Sequence, residues 1–264
     1  MSRKPEEMIL ALLGECILAR NERAVAAGVY IDILEACGSA PGTTRTTLQR
    51  MRTRGLFHTH RAGRESLYEP TRSFLRILDE ASTRVLAKDP FTAEGSGWTV
   101  VTFSLPETQR SVRHVVRSQL TWAGFGDLRD GVWVAPGHAE IPDSVRELAL
   151  DESLRVAVFR AQEIEGLPLA KTFMSAWNVD ELRGAHAQFL DRWEHAPEQS
   201  DSPLRDIVWL IADWLSLLRN DPRLPVAHVD DEWPAQRSVQ AFPRLHRAWR
   251  PRARRQFDAA ADHA

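Results

Sequence analysis

This sequence of 264 residues has few cysteines and no long apolar run, and its start does not resemble a leader peptide. Its two cysteines, Cys16 and Cys37, each lie within an apolar helical pattern. We therefore expect reduced, buried thiols and no disulfide. No window approaches about 18 uninterrupted apolar residues, which argues against a membrane-spanning helix. The start, MSRKPEEMILALLGEC, lacks the features of a signal peptide, so we expect a cytoplasmic protein without a membrane partner.

Sequence signatures of catalysis are also missing. No Walker loop, nucleophile elbow or HExxH motif occurs. The glycines Gly124, Gly126 and Gly131 follow a predicted helix and are spaced unlike a dinucleotide fingerprint, so they favour turns. His58 and His60 have a spacing that suits a metal, but no third ligand is near them in the sequence. We expect no metal, no cofactor and no enzymatic activity.

Charge is unevenly distributed along the chain, whose formal net charge is −2. Residues 41–76 carry eight arginines and two glutamates. Residues 138–234 carry nineteen acidic and nine basic side chains, and residues 235–264 carry seven arginines and two aspartates. This segregation predicts that the first basic segment meets a polyanion.

The first basic segment belongs to a pattern of helices. Apolar residues recur at helical spacing in residues 8–17 and 28–37. In the third helix, Thr43 or Thr44 is predicted as the N-cap and Gly55 as the terminator.

An alternating segment, LFHTHRAGRESLYEP, follows these helices and turns at Ala62–Gly63. Three helices and a two-stranded ribbon are the plan of a winged helix-turn-helix. With a connecting helix, this predicted DNA-binding domain spans residues 1–88.

The third helix is the candidate DNA-reading element. Leu48 and Met51 point inward in the pattern, which leaves a basic outward face. Arginine pairs with guanine, glutamine reads adenine, and threonine suits phosphates or the thymine methyl group. The candidate DNA-binding residues are Thr44, Arg45, Thr46, Gln49, Arg50, Arg52 and, at the ribbon, Arg61 and Arg64. The alternative is a solvated basic face used for protein contacts.

Residues 97–162 predict a βαββαβ unit. WTVVTFSL is a strand, a helix follows, and GFGDL and GVWVAP are short strands joined at Asp130–Gly131. IPDSVRELAL and SLRVAVFRAQ then supply a helix and a last strand. This order is typical of a ferredoxin-like domain.

Residues 166–264 lack strand signals and predict a helical C-terminal domain, so the whole chain is expected to be α+β. Tryptophans in this part either fill the helical core or line a pocket for an aromatic or acyl ligand. They are Trp177, Trp193, Trp209 and Trp214.

The helix of the middle domain carries cations at i, i+3, i+4 and i+7, which are Arg110, Arg113, His114 and Arg117. This stripe is a solvated face, a subunit contact or a site for the phosphates of an anionic effector. For the last reading we expect a cleft between the middle and C-terminal domains. The candidate effector-binding residues are Arg113, Arg117, Trp133 and Trp177.

Five motifs occur in order along the chain, which are RTTLQRMRTRGLF at 45–57, GRESLYEPT at 63–71, GFGDLRDGVWVAP at 124–136, AWNVDEL at 176–182 and NDPRLPVAHVDDEWP at 220–234. Together they resemble the PaaX family of phenylacetic-acid-responsive repressors. The resemblance runs from about residue 11 to residue 257.

This resemblance implies a winged helix-turn-helix, a ferredoxin-like middle domain similar to the CRISPR-associated adaptation nuclease, and a helical C-terminal domain. It also implies a homodimer that binds a double-stranded DNA operator. In that family a small-molecule effector, a CoA thioester and typically phenylacetyl-CoA, releases the repressor from DNA.

The chain departs from the nuclease relatives at the end of the first strand of the middle domain. An aspartate stands there in those relatives, whereas this chain reads Thr102–Phe103–Ser104. A metal-dependent nuclease or a CoA-ester hydrolase built on this domain is the alternative function. The missing carboxylate argues against metal-assisted hydrolysis.

Overall fold

The computed structural model describes residues 3–18, 20, 23–63, 65–106, 109–129, 131–150, 154–164 and 169–262. The described part of the chain is a mixed α and β fold, as predicted, with one sheet of three strands and one of four. It forms two compact units. The first contains residues 1–88, 188–216 and 237–264, and the second contains residues 89–187 and 217–236. Among the described helices, none combines the length and apolarity needed to cross a membrane.

The first unit begins with helices and a small sheet. Its elements are α1 (Pro5–Leu12), β1 (Val25–Ala26), α2 (Ala27–Ala36), α3 (Pro41–Thr53), β2 (Phe57–Ala62), β3 (Glu65–Pro70) and α4 (Arg72–Val85). A π-helical turn, Leu13–Ile17, continues α1. The strands are antiparallel in the order β1-β3-β2, and Ala62 pairs with Glu65 at the hairpin end.

The start of α3 differs from the prediction. Its N-cap is Ala40, and Pro41 occupies the first helical turn, so the predicted cap at Thr43 or Thr44 is wrong. Proline suits this position because its missing N–H would have no helical partner and its φ is already helical. Gly55 follows the helix with φ 75°, as expected for a terminating glycine.

Helix α3 buries the side that the sequence pattern predicted. Leu48 and Met51 are fully buried, and so is Tyr30 of α2. Phe57 packs edge-to-face on Tyr68, with ring centroids 5.6 Å apart. These contacts hold α3 and the hairpin together, and the polar side of α3 stays exposed.

The second unit contains the four-stranded sheet. Its first elements are β4 (Trp98–Ser104), α5 (Arg110–Trp122), β5 (Gly126–Arg129), β6 (Val132–Pro136), α6 (Asp143–Leu150) and β7 (Arg155–Ala161). The strand order is β5-β6-β4-β7, and every neighbouring pair is antiparallel. Both helices bury apolar side chains against this sheet; the cluster includes Val101, Phe103, Val116, Leu120 and Val145.

The remaining elements are helical. They are α7 (Leu169–Met174), α8 (Val179–Trp193), α9 (Pro203–Asn220), a short 3₁₀ turn (Val226–His228) and α10 (Ala235–Asp262). Trp193 and Trp214 are buried, as the helical-core reading predicted. Trp214 stacks on Phe242 with ring centroids 4.4 Å apart.

Cys16 and Cys37 are both free and buried, as predicted. Burial raises the pKa of the Cys16 thiol and raises the pKa of Cys37 to about 12. Neither side chain therefore has the thiolate character of a reactive cysteine.

A buried carboxylate joins the two ends of the chain within the first unit. Glu15 lies in the π-helical turn and its oxygens accept from His246 Nε2 at 2.7 Å, Arg250 Nε at 2.8 Å and Arg254 Nε at 2.9 Å. Burial on its own would raise the pKa of Glu15. The hydrogen bond and charge of His246 and the charges of the two arginines outweigh burial, so the pKa lies below its ordinary value of 4.5.

We expect Glu15→Gln to lower the free energy of unfolding by about 3–5 kcal/mol at neutral pH, because it removes the charge from a buried ion-paired network. The pKa of Glu15 is lower in the folded protein, so its contribution is full above pH 4.5 and is lost as pH falls. The difference between wild type and variant should therefore shrink in acid.

Urea unfolding at neutral and acid pH measures this difference. The control is Glu35→Gln, which changes an exposed glutamate of α2. It should alter stability by less than about 0.5 kcal/mol. Equal effects of the two substitutions would contradict the assigned role of Glu15.

Candidate functional site

An open groove lies between α3, the start of α2 and β3 in the first unit. Arg45, Thr46 and Gln49 line it from α3, and Ser66 lines it from β3. All four side chains are exposed. Three of the predicted DNA-reading residues therefore share one concave, polar surface.

Arg50 of α3 and Arg54, the C-cap residue of that helix, share a carboxylate from α1. Glu6 Oε2 accepts from Arg50 Nη2 at 2.8 Å, and Glu6 Oε1 accepts from Arg54 Nη1 at 2.6 Å. Burial alone would raise the pKa of Glu6, but the hydrogen bonds and charges of Arg54 and Arg50 outweigh it and lower the pKa. An anion that binds these arginines must compete with this carboxylate.

Sequence reasoning missed Glu6 and Arg54. The four-residue spacing of Arg50 and Arg54 puts them on one side of a helix, which was a usable signal for Arg54. No comparable signal existed for Glu6, because its partners are 44 and 48 residues away.

The other predicted DNA-binding residues have different surroundings. Arg52 and Arg61 are exposed, on α3 and β2 respectively. Thr44 is fully buried, and its hydroxyl lies 3.2 Å from the Ser39 hydroxyl, so its side chain is not part of the exposed face. Arg64 lies outside the described residues.

The predicted histidine pair lies on the first strand of the hairpin. His58 and His60 are exposed on β2. Within the described residues, no group of three or more His, Cys, Asp or Glu side chains could hold a metal ion. Near the end of β4, where the sequence has no aspartate to bind a metal, Phe103 is buried in the sheet core.

A second groove lies in the second unit, between α5, the β5–β6 hairpin and residues 176–178. Arg117, Trp133 and Trp177 all line it, so three of the four predicted effector residues are brought together. Arg113 is not among its lining residues. One of its guanidinium nitrogens, Nη2, donates to the Leu105 carbonyl at 2.8 Å.

This groove, which we call the α5 groove, combines a cation with unused polar atoms. Arg117 Nη2 donates to Asp127 Oδ2 at 2.6 Å, and its guanidinium lies 5.6 Å from the Trp133 ring centroid. Trp133 Nε1 and Asp127 Oδ1 are buried and have no hydrogen-bond partner among the described residues. Buried polar atoms of this kind normally have a partner, so these two atoms are a local cost in the lining of the groove.

Trp177 is positioned by a network outside the α5 groove. It stacks on Trp98, with ring centroids 6.2 Å apart. Trp98 Nε1 donates to Glu163 at 2.8 Å, and His228 Nε2 contacts the same carboxylate oxygen at 2.6 Å. These contacts hold Trp98, on which the indole of Trp177 stacks.

A mixed α and β chain with an exposed, arginine-rich helix face is typical of nucleic-acid-binding proteins. The comparisons with known families agree with this class. "PaaX-like protein" matches residues 4–73, "PaaX protein central Cas2-like domain" matches residues 93–171, and "PaaX-like protein C-terminal domain" matches residues 177–259.

The chain therefore belongs to the PaaX family, as the five motifs predicted. Membership suggests a transcriptional regulator of phenylacetic-acid catabolism, and the family is generally regulatory, not enzymatic.

A solved structure, "Uncharacterized protein Rv0674 from Mycobacterium tuberculosis", is similar to the chain, with 21% sequence identity and a TM-score of 0.58. The similarity covers 98% of this chain and 99% of that chain, and it supports the fold alone. No curated protein matches the chain.

The close approach of Trp177 to β5 requires a glycine at position 126. A Cβ at Gly126 would lie 2.7 Å from both Ala176 Cβ and Trp177 Cε2. We expect Gly126→Ala to displace Trp177, to change tryptophan fluorescence and to destabilise the protein by about 1–3 kcal/mol.

The matched control is Gly184→Ala in α8, where a Cβ meets nothing within 4 Å. It should stabilise the helix by about 0.5–1 kcal/mol. Thermal unfolding with fluorescence detection compares the two. If Gly126→Ala behaves like Gly184→Ala, Trp177 does not depend on this contact.

Proposed function

We propose that the protein is a homodimeric transcriptional repressor that binds a double-stranded DNA operator and is released by a CoA-thioester effector. The observation that carries the proposal is the groove in which Arg45, Thr46 and Gln49 of α3 are exposed together. The PaaX family membership supports the regulatory class.

The first unit is proposed to be a winged helix-turn-helix. The order of α1, α2, α3 and the β2–β3 hairpin supports this assignment, with α3 as the recognition helix and the hairpin as the wing. A major groove about 12 Å wide admits one helix, and α3 carries its apolar side chains on the opposite, buried face. The ferredoxin-like assignment of the middle domain is likewise supported by the strand order β5-β6-β4-β7.

Arg45 and Gln49 are one helical turn apart and face the same groove. We assign guanine recognition to Arg45 and adenine recognition to Gln49, because each can form a bidentate pair with its base. Thr46 is suited to a phosphate or a thymine methyl group, and Arg52 and Arg61 to phosphates.

Arg50 remains a proposed base-reading residue whose guanidinium is already oriented by Glu6. Arg64 remains a proposed phosphate contact of the wing. Two copies of α3 in a dimer would lie about 34–36 Å apart on a pseudopalindromic operator.

We expect the double substitution Arg45→Ala and Gln49→Ala to weaken operator binding by about 30-fold or more, because each bidentate base contact is worth roughly 1–3 kcal/mol. Gel shifts with fragments recovered by genomic footprinting measure the loss. The neighbouring genes also identify the regulated pathway.

The control pair is Arg155→Ala and Gln162→Ala, which removes an exposed arginine and an exposed glutamine from the second unit. This pair should leave binding unchanged. Equal binding by the α3 variant and the wild type would contradict the assignment of α3 as the recognition helix.

The α5 groove is the proposed effector site. Arg117 supplies a cation for the phosphates of CoA, and Trp133 and Trp177 supply apolar surface for the acyl group. Arg113 remains a predicted phosphate ligand, although one of its nitrogens is occupied by the Leu105 carbonyl.

Phenylacetyl-CoA and other CoA thioesters should quench or shift the tryptophan fluorescence and release bound DNA. We expect Arg117→Gln to weaken this response about tenfold or more, since charge-assisted contacts to a phosphate are worth about 1.5–3 kcal/mol. Arg146→Gln, which changes an exposed arginine of α6, is the control. An unchanged response in Arg117→Gln would exclude the α5 groove as the effector site.

A further inference from the structure

Helix α10 is basic and lies in the first unit from Arg237 onward. Residues 235–264 contain seven arginines and two aspartates. One side of the helix is buried through Phe242, Leu245, Trp249 and Phe257. The arginines are therefore distributed over the flanks and the exposed side.

Four of the seven arginines are used inside the first unit. Arg250 and Arg254 bind the Glu15 carboxylate. Arg237 pairs with Glu194, and Arg244 donates to backbone carbonyls that include Glu194 O at 2.8 Å. These four arginines are therefore paired with carboxylates or with backbone carbonyls of the first unit.

The other three are Arg247, Arg252 and Arg255. Each side chain is exposed, and none of the three makes a side-chain hydrogen bond or an ion pair with a described residue. At 3.6 residues per turn they fall within about 140° of the helix circumference and spread over about 12 Å along its axis. We call this surface the α10 arginine face.

The segment that contains α10 has fewer acidic side chains than arginines. Asp258 and Asp262 of α10 share one partner, Arg20, and Asp32 and Asp201 line a groove together with Gln256 of α10. Glu194 is bound to Arg237, whose hydrogen bond is the main cause of the lowered pKa of Glu194. Because residues 235–264 carry seven arginines and two aspartates, the α10 arginine face keeps a net positive charge.

We propose that Arg247, Arg252 and Arg255 form a second, sequence-independent contact with the phosphate backbone of the DNA that α3 binds. The inference rests on the proposed DNA-binding function. Cations spread over about 12 Å fit the extended row of duplex phosphates better than they fit one small anion. The same compact unit also contains α3 and the hairpin.

The test is the triple substitution of Arg247, Arg252 and Arg255 to Gln in the full chain. Neutralising phosphate contacts lowers the slope of log affinity against log salt concentration by about 0.9 per contact, so we expect a decrease of about 2–3. Operator and unrelated duplexes should lose affinity by the same factor, because backbone contacts carry no sequence information.

Two further variants serve as controls. The matched neutralisation Arg129→Gln, Arg155→Gln and Lys171→Gln removes three exposed cations from the second unit and should leave the slope unchanged. Arg→Lys at the three α10 positions keeps the charge and should largely restore the wild-type slope. Thermal unfolding checks that the Gln variant is folded.

The outcomes separate this inference from the proposed function. A wild-type protein that binds no DNA would overturn both. A wild type that binds DNA through α3, with an unchanged slope in the α10 Gln variant, would overturn the inference alone. A changed oligomeric state with an unchanged slope would assign the α10 arginine face to an acidic protein surface and would also overturn it.

Discussion

The buried carboxylate of Glu15 is the constraint on which the arrangement of the first unit depends. A carboxylate removed from water is costly unless it is paired, and its partners come from residues 231 to 239 positions further along the chain. Helix α10 must therefore pack against the π-helical turn that follows α1. This pairing commits Arg250 and Arg254 to the fold. It also decides which arginines of the basic C-terminal segment remain available to a partner.

The same principle operates on α3 with a different result. Glu6 is only partly buried, and the side chains of Arg50 and Arg54 are more than half exposed, so their ion pairs remain accessible to a competing anion. A solvent-exposed pair of this kind contributes little to stability. Its effect is on orientation, since it holds the guanidinium groups of Arg50, in the proposed recognition helix, and of Arg54, at its C-cap, beside α1. Arg45 and Gln49 carry no such restraint and line the open groove.

Much of this organisation could be predicted from local patterns. Helical periodicity identified Leu48 and Met51 as buried, and the turn glycines were identified at the end of α5 and in the β5–β6 hairpin, where Gly124 and Gly131 have φ of 88° and 73°. The predicted N-cap of α3 was wrong because helical periodicity indicates which side of a helix is buried and does not indicate where the helix begins. With Pro41 at the start, Thr44 falls four residues before Leu48 on the buried stripe.

The amino-acid sequence by itself determined the main helices and strands, the buried face of α3 and the PaaX family, because these follow from local spacing and short motifs; it did not reveal the short strand β1, which pairs with β3, or the π-helical turn after α1. Only the tertiary structure decided which charges and indoles are free to act. It pairs Glu6 with α3 and Glu15 with α10, and it assembles Arg117, Trp133 and Trp177 in the α5 groove without Arg113. The physical reason is that Coulombic pairing and burial depend on distances in space, between residues that no local pattern connects.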